Sequence, residues 1–295
     1  MESLAELAAQ IQRHTPADGL YPCALPRVTL IRSSGPTMPM PVIYQPSICV
    51  VAQGRKQVVL GDIMHVYDAA TFVLASVDLP VIGSVIEATR QAPYLSLQVD
   101  IDVAVLGELV LGGAPVREMP PPRAGLALHA MTPELADACR RLVALLDRPK
   151  DIPVLAPLIE REILYRLITG PAAAMMRHIA MSDGSLARIS RVIAWIKARY
   201  AEPLVIEELA DLAGMSPSSL HAHFKAVTRM SPLQYRAQLR LQEARRLMIA
   251  EGAEAAQAGF RVGYGSPSQF SREYARLYGA APAADAAQVR ASART

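Results

Sequence analysis

The sequence predicts an α+β chain of more than one domain. A β-rich N-terminal region comes first, and an all-α region with two helix-turn-helix motifs joined by a linker helix follows. Three observations carry this prediction. Short β-branched runs punctuated by turn residues fill residues 27–110, a pattern of barrels and sandwiches. From residue 132 the apolar period becomes helical. Ten residues, SPSSLHAHFK (216–225), recur fifty positions later as SPSQFSREYA (266–275). Each copy has a large apolar residue at its fifth place and an aromatic at its ninth.

Taken in order, MESLAELAAQIQRH opens the chain with Leu4, Leu7, Ala8 and Ile11 on one face of a short amphipathic helix. The runs RVTLIR, SICVVAQG, KQVVLGD, IMHVYD, TFVLASVDLP and YLSLQVDID read as strands. GGAPVREMPPPRAG (112–125) breaks regular structure and reads as a linker or rim loop. Thr132 then caps a helix that has Pro133 at its first position and Leu135, Cys139, Leu142 and Leu146 as its stripe. DRPKDIP stops it, and a second helix follows with Leu158, Ile159, Ile163 and Leu167, ended by Gly170-Pro171. These two helices pack within the chain or pair with a second copy. Beyond Ser182, Ile189, Ile193, Ile196 and Tyr200 mark the buried side of another helix.

The repeat comes next. Ser216 is suited to cap a helix with Pro217 at its first position, and Leu220, Phe224 and Val227 stand at i, i+4 and i+7, facing inward. Ser218, His221, Ala222 and Lys225 share the outer face. A turn at Gly214-Met215 joins this helix to the one before it, and such a pair fits its second helix into a major groove about 12 Å wide. In the second copy Phe270 and Tyr274 take the inward places, and Ser268, Ser271, Arg272 and Ala275 the outward ones. Between the copies, SPLQYRAQLRLQEARRLMIAEG runs as one helix of roughly 27 Å, close to the roughly 34 Å between successive groove faces. Two reading helices, about 217–227 and 267–276, would thus grip consecutive grooves of one duplex.

Charge agrees in sign. Residues 1–181 hold 15 Lys+Arg against 17 Asp+Glu (net −2), and residues 182–295 hold 15 against 10 (net +5). Three scattered cysteines with no C-x-x-C pair suit a reducing compartment. No run of about 18 apolar residues reads as a membrane span, and the acidic start lacks a secretory leader, so the sequence predicts a cytoplasmic protein.

The segments ELADLAGMSPSSLHAHFKAVT, SPLQYRAQLRLQEARRLM and VGYGSPSQFSREYARLYGAAP resemble, in order and spacing, the AraC/XylS family of bacterial transcription regulators. The resemblance covers about 185–282. YQPSICVVAQGRKQVVLGD, SVDLPVIG and PYLSLQVDID are similar to the effector-sensing N-terminal domain of one branch, which has a cupin-type barrel. The expected division is an effector-sensing domain over 1–125, a helical connector over 126–181 that packs within the chain or serves as a dimerisation element, and a DNA-binding domain over 182–295. The protein's partners would be double-stranded promoter DNA, a small-molecule effector, RNA polymerase and a second copy of the chain. Four places depart from the family pattern: Arg229 stands opposite Gly279, Gly259 where Ala is usual, Val205 where a hydroxyl cap is usual, and Ala222 where Arg is frequent. The first three should weaken the fold locally. Ala222 shifts base discrimination towards the second reading helix.

Arg272 is the leading base-reading candidate, because a guanidinium bonds guanine O6 and N7 together. The competing reading is a phosphate contact or a pair with nearby acids. Lys225, Ser268 and Gln269 suit phosphates. His221 and Ser271 suit bases or phosphates, with solvated surface nearly as good a reading. His221 and His223 lie two apart and point to different sides of a helix, so no metal site is expected there, and His223 is expected to pack against its neighbours. In the strand region Cys49, His65 and Tyr67 are candidate pocket residues. A lone Cys49 in an apolar strand is more often core. No metal cluster and no cofactor site can be read. A cupin-type enzyme with a helical appendage and a protein-interaction module are the competing functions, and neither a nucleophile with its base nor a ligand cluster is visible to support the enzyme.

Overall fold

The protein is described here by a computed structural model covering residues 2–112, 124–180 and 185–292. The chain divides into two compact units, one of Met1–Pro39 with Ile43–Ala187 and one of Arg188–Thr295 with Met40–Val42. The Pro-rich stretch 112–125 falls almost wholly outside the described residues.

The N-terminal unit opens with α1 (Glu2–His14), whose Leu7, Ala8 and Ile11 are buried as the amphipathic pattern requires. Nine strands follow: β1 (Gly19–Pro22), β2 (Val28–Ser33), β3 (Met40–Tyr44), β4 (Ser47–Gln53), β5 (Arg55–Leu60), β6 (Ile63–Tyr67), β7 (Thr71–Ala75), β8 (Leu79–Glu87) and β9 (Tyr94–Asp100). Then come α2 (Val103–Leu111), β10 (Leu126–Ala130), α3 (Pro133–Ala144), α4 (Ile152–Thr169) and α5 (Ala173–Ala180). Two sheets result, one in the order β1-β2-β9-β4-β7-β10 and one in the order β3-β8-β5-β6. Together they form the barrel.

The pleat sorts the six-stranded sheet into two faces. Leu30, Ile48, Val50, Phe72, Leu74, Leu95 and Leu97 share one continuous core with α1, α3, α4 and α5. Their alternates, Cys49, Val51, Val73, Tyr94 and Ser96, are equally buried but face the barrel interior. A strand buried on both faces cannot alternate polar with apolar, which is why SICVVA reads as one apolar run. Arg27, at φ 58°, ties this side together through Asp102 at 3.4 Å and through the buried Glu160 of α4.

The strand region differs from expectation in two ways. Residues 103–111 form a helix rather than more sheet, started by Asp102, whose Oδ1 accepts from the backbone N–H of Ala104 and Val105. Strands β1, β3, β10 and most of β8 lie outside the expected strand runs, and TFVLASVDLP spans β7 and only the first two residues of β8. In α4 the stripe is rotated from the expected one. Ile163 and Leu167 are buried, but Leu158 is 62% exposed, and Ile152, Ala156, Leu164 and Ile168 complete the inward face.

The C-terminal unit is helical: α6 (Ser185–Ala198), which begins at the boundary, α7 (Ile206–Ala213), α8 (Pro217–Thr228), α9 (Pro232–Ala250), α10 (Ala255–Arg261), α11 (Pro267–Tyr278) and α12 (Pro282–Ser292). Its start signals are those of the sequence. Ser216 Oγ accepts from the Ser219 N–H, and Ser231 with Gln234 forms a full capping box at the head of α9. Val205 stands at the α7 N-cap with no side-chain bond, leaving Glu207 and Glu208 to favour that end.

Candidate nucleic-acid interface and barrel interior

Helices α8 and α11 are built alike. Leu220 and Phe224 of α8 are fully buried, as are Phe270 and Tyr274 of α11. Phe224 meets Tyr235 of α9 edge-on at 5.5 Å, and Phe270 meets Tyr264, which precedes α11, at 5.3 Å between ring centres. Each aromatic edge anchors its helix from behind, so the opposite row must face solvent. Ser218, His221, Ala222 and Lys225 are all exposed on α8, and Ser268, Gln269, Ser271 and Arg272 on α11. His223, expected to pack against its neighbours, is exposed as well.

The second row carries more cationic reach. Arg272 makes no ion pair or hydrogen bond among the described residues, because the adjacent Glu273 is engaged elsewhere. Glu273 accepts from Tyr264 Oη at 2.8 Å and from Gln269 Nε2 at 3.1 Å. Gln269 is thereby held in place rather than free. Arg276, one turn beyond Arg272, is exposed and borders the same shallow depression with Gln269 and Glu273. Its i+4 spacing was the signal that could have found it.

The two halves are tied through α9. Arg240 donates to the carbonyl oxygens of Tyr200, Ala201, Glu202 and Gly263, joining the end of α6 to the α10–α11 turn. Arg245 forms a two-pronged pair with Asp285 of α12 at 2.7 and 3.0 Å, and Tyr274 Oη donates to the same carboxylate at 2.6 Å. Burial works against the ionised Asp285, but these bonds outweigh it and hold its pKa below the usual carboxylate range.

Inside the barrel the structure brings Cys49, His65 and Tyr67 to the inward face. His65 and Tyr67 alternate with the exposed Met64 and Val66, settling which face of β6 points in. Four residues not singled out from the sequence join them. Lys56 of β5 lies directly across from Tyr67 in the ladder, and its ammonium sits 5.5 Å from the Tyr44 ring centre. Tyr44 and Tyr67 hydroxyls are 3.1 Å apart. Tyr94 and Ser96 of β9 are completely buried, and their hydroxyls lie beside each other and Cys49 with no stronger partner among the described residues. Burial drives the Tyr67 and Tyr94 phenols well up, so both stay neutral donors. Burial disfavours the charged Lys56, but its neighbours Tyr44 and Cys49 outweigh that, leaving its pKa above the ordinary lysine value. Among the described residues no group of three or more His, Cys, Asp or Glu side chains is placed to hold a metal, and no helix is long and apolar enough to cross a membrane.

Residues 24–175 match the family described as AraC-type transcriptional regulator N-terminus, and residues 209–288 match the helix-turn-helix domain family. The transcriptional activator RhaS of Citrobacter koseri is 29% identical over 145 residues, 48% of this chain and 51% of that protein. RhaS of Salmonella schwarzengrund is 27% identical over 146 residues, with the same coverage. The chain thus spans about half the length of the curated relatives it matches. Among solved structures, ToxT of Vibrio cholerae bound to (E)-4-(8-methylnaphthalen-1-yl)but-3-enoic acid has a TM-score of 0.59 at 11% identity, covering 88% of this chain and 97% of that one. ToxT with a bound unsaturated fatty acid has a TM-score of 0.51 at 10% identity, covering 88% and 93%. At such identities the likeness concerns the fold.

Proposed function

The chain belongs to the AraC-type transcriptional regulators, and from that premise we propose that it binds promoter DNA through α8 and α11 while its barrel takes a small-molecule effector. The observation carrying the reading is the matched pair of Ser-Pro-headed helices, each with a buried aromatic edge and a bare polar row, set at the two ends of the 19-residue α9. At 1.5 Å per residue α9 spans about 28 Å, which suits two adjacent major grooves.

Within this reading Arg272 contacts guanine, Arg276 and Lys225 contact phosphates, and Ser218, His221, Ser268, Gln269 and Ser271 supply hydroxyl, imidazole and amide contacts along the two rows. Ala222 offers only a methyl group, so α8 positions more than it discriminates. Effector entry to the barrel is supported by the inward Cys49, His65 and Tyr67, and by the small molecules held in the ToxT structures. The outward face of α4 exposes Val154, Leu155, Leu158 and Tyr165, an apolar row suited to a second copy of the chain. The reading assigns no catalytic chemistry, and RNA polymerase is its expected downstream partner.

The test is selection of fragmented genomic DNA by the purified chain, followed by footprinting of the best site. Two protected segments about 10 bp apart are expected. A folded protein that enriches nothing over random fragments at low salt would overturn the reading.

A further inference from the structure

Two hydroxyls and one ammonium meet inside the barrel with fewer partners than buried polar groups ordinarily have. The Tyr94 and Ser96 hydroxyls are fully buried and lie beside each other and Cys49, with no stronger partner among the described residues. Lys56 brings a positive charge whose neighbours are Tyr44 and Cys49, and it has no carboxylate partner among the described residues. The surrounding inward positions, Val51, Val58 and Val73, are apolar and buried. One cation, neutral hydroxyl donors and an apolar lining on facing sheets are a complementary set waiting for one kind of guest.

We propose that the effector is a small organic acid, its carboxylate against Lys56 and the hydroxyls of Tyr94 and Ser96, and its apolar body against Val51, Val58 and Val73. This deepens the effector reading given above and rests on it. Charge decides the class. A single ammonium balances a single carboxylate, and charged hydrogen bonds of this type are the strong ones. A phosphate, with nearly two negative charges, would leave buried charge uncompensated, and a neutral sugar would leave the ammonium unpaired.

The experiment is calorimetric titration of the full chain with benzoate and octanoate, each against its amide, with glucose and inorganic phosphate alongside. At least one acid should bind, with its amide about tenfold weaker or worse. Lys56→Met should weaken the acid about tenfold or more while leaving the melting temperature of the unliganded protein within a few degrees. Lys56→Arg should retain part of the affinity, and Tyr94→Phe should lose several-fold. Should Lys56→Met fail to fold, Lys56→Arg and Tyr94→Phe carry the test. The proposal is overturned if neither acid binds, if an amide, glucose or phosphate binds as well as the acids, or if both folded variants bind the acid as wild type does. The wild-type footprint separates the two readings. Protected DNA without acid binding removes only the ligand class, and failure of both removes the regulator reading too.

Discussion

Arg229 and Gly279 occupy equivalent ends of α8 and α11, and both adopt left-handed backbone, at φ 60° and 73°. Glycine enters that region freely; an arginine there costs about 1 kcal/mol. Arg229 gains nothing visible in return, its Nε being buried without a partner. Arg229→Gly should therefore raise the melting temperature of the C-terminal unit by several degrees in calorimetry. Gly259 is the opposite case. An added methyl there would sit 2.9 Å from Cγ of Phe270. The glycine that looks like a weak helix former is what lets α10 close onto α11, so Gly259→Ala should lower the melting temperature despite its gain in helix propensity. At the DNA surface, Arg272→Ala should cost about 1–3 kcal/mol at one base position and relax preference there, as measured by competition between single-base variants. Lys225→Ala should instead weaken all sequences alike and shrink the salt slope of log K by about 1. Equal effects of the two variants on every sequence would count against the division of labour.

Among elements, α12 is held by Arg290, which donates to the Met248 carbonyl, and by the Asp285 carboxylate, which Arg245 of α9 and Tyr274 of α11 both grip. Its pKa is depressed in the fold, so the stability it contributes is present above the unfolded value of about 4 and is lost as pH falls through the folded one. Acid titration followed by circular dichroism should show the C-terminal unit holding steady from pH 7 to about 5 and weakening below about 4. Asp285→Asn should cost about 3 kcal/mol at pH 7, since each partner of the pair is only 13% exposed, and should flatten the acid limb. These helices were legible in the sequence because Ser-Pro starts and i, i+4, i+7 spacing are local signals. The barrel was legible only in part. Once both faces of a strand are buried, period-two alternation disappears, so TFVLASVDLP runs past β7 into the start of β8, the rest of β8 gives no strand signal, and the apolar VAVLGELVL of α2 carries no mark but Asp102. The interior cluster was largely hidden for a different reason. Tyr44, Lys56, Tyr67 and Tyr94 sit on four strands, and only the closed sheets bring them together.

At the scale of the molecule, a mildly acidic N-terminal part and a basic C-terminal part allot the attraction for a polyanion to one end of the chain. That end is also mechanically simple. α9 runs 19 residues with no glycine and no interior proline, its head closed by a capping box, and Arg240 bonds to four carbonyls on either side of it. Such a rod has a length and a rotational setting that it cannot readily change. DNA offers the matching problem: one extra base pair moves a half-site about 3.4 Å along the axis and about 34° around it. A jointed connector would follow that displacement; this one would hold its pitch. Operators with one base pair inserted or deleted between the half-sites should lose specific binding almost entirely, while ten inserted pairs, though restoring the angle, should not restore it. The chain would then act as a gauge for the phase of its own operator, tolerating changes of letter more readily than changes of distance.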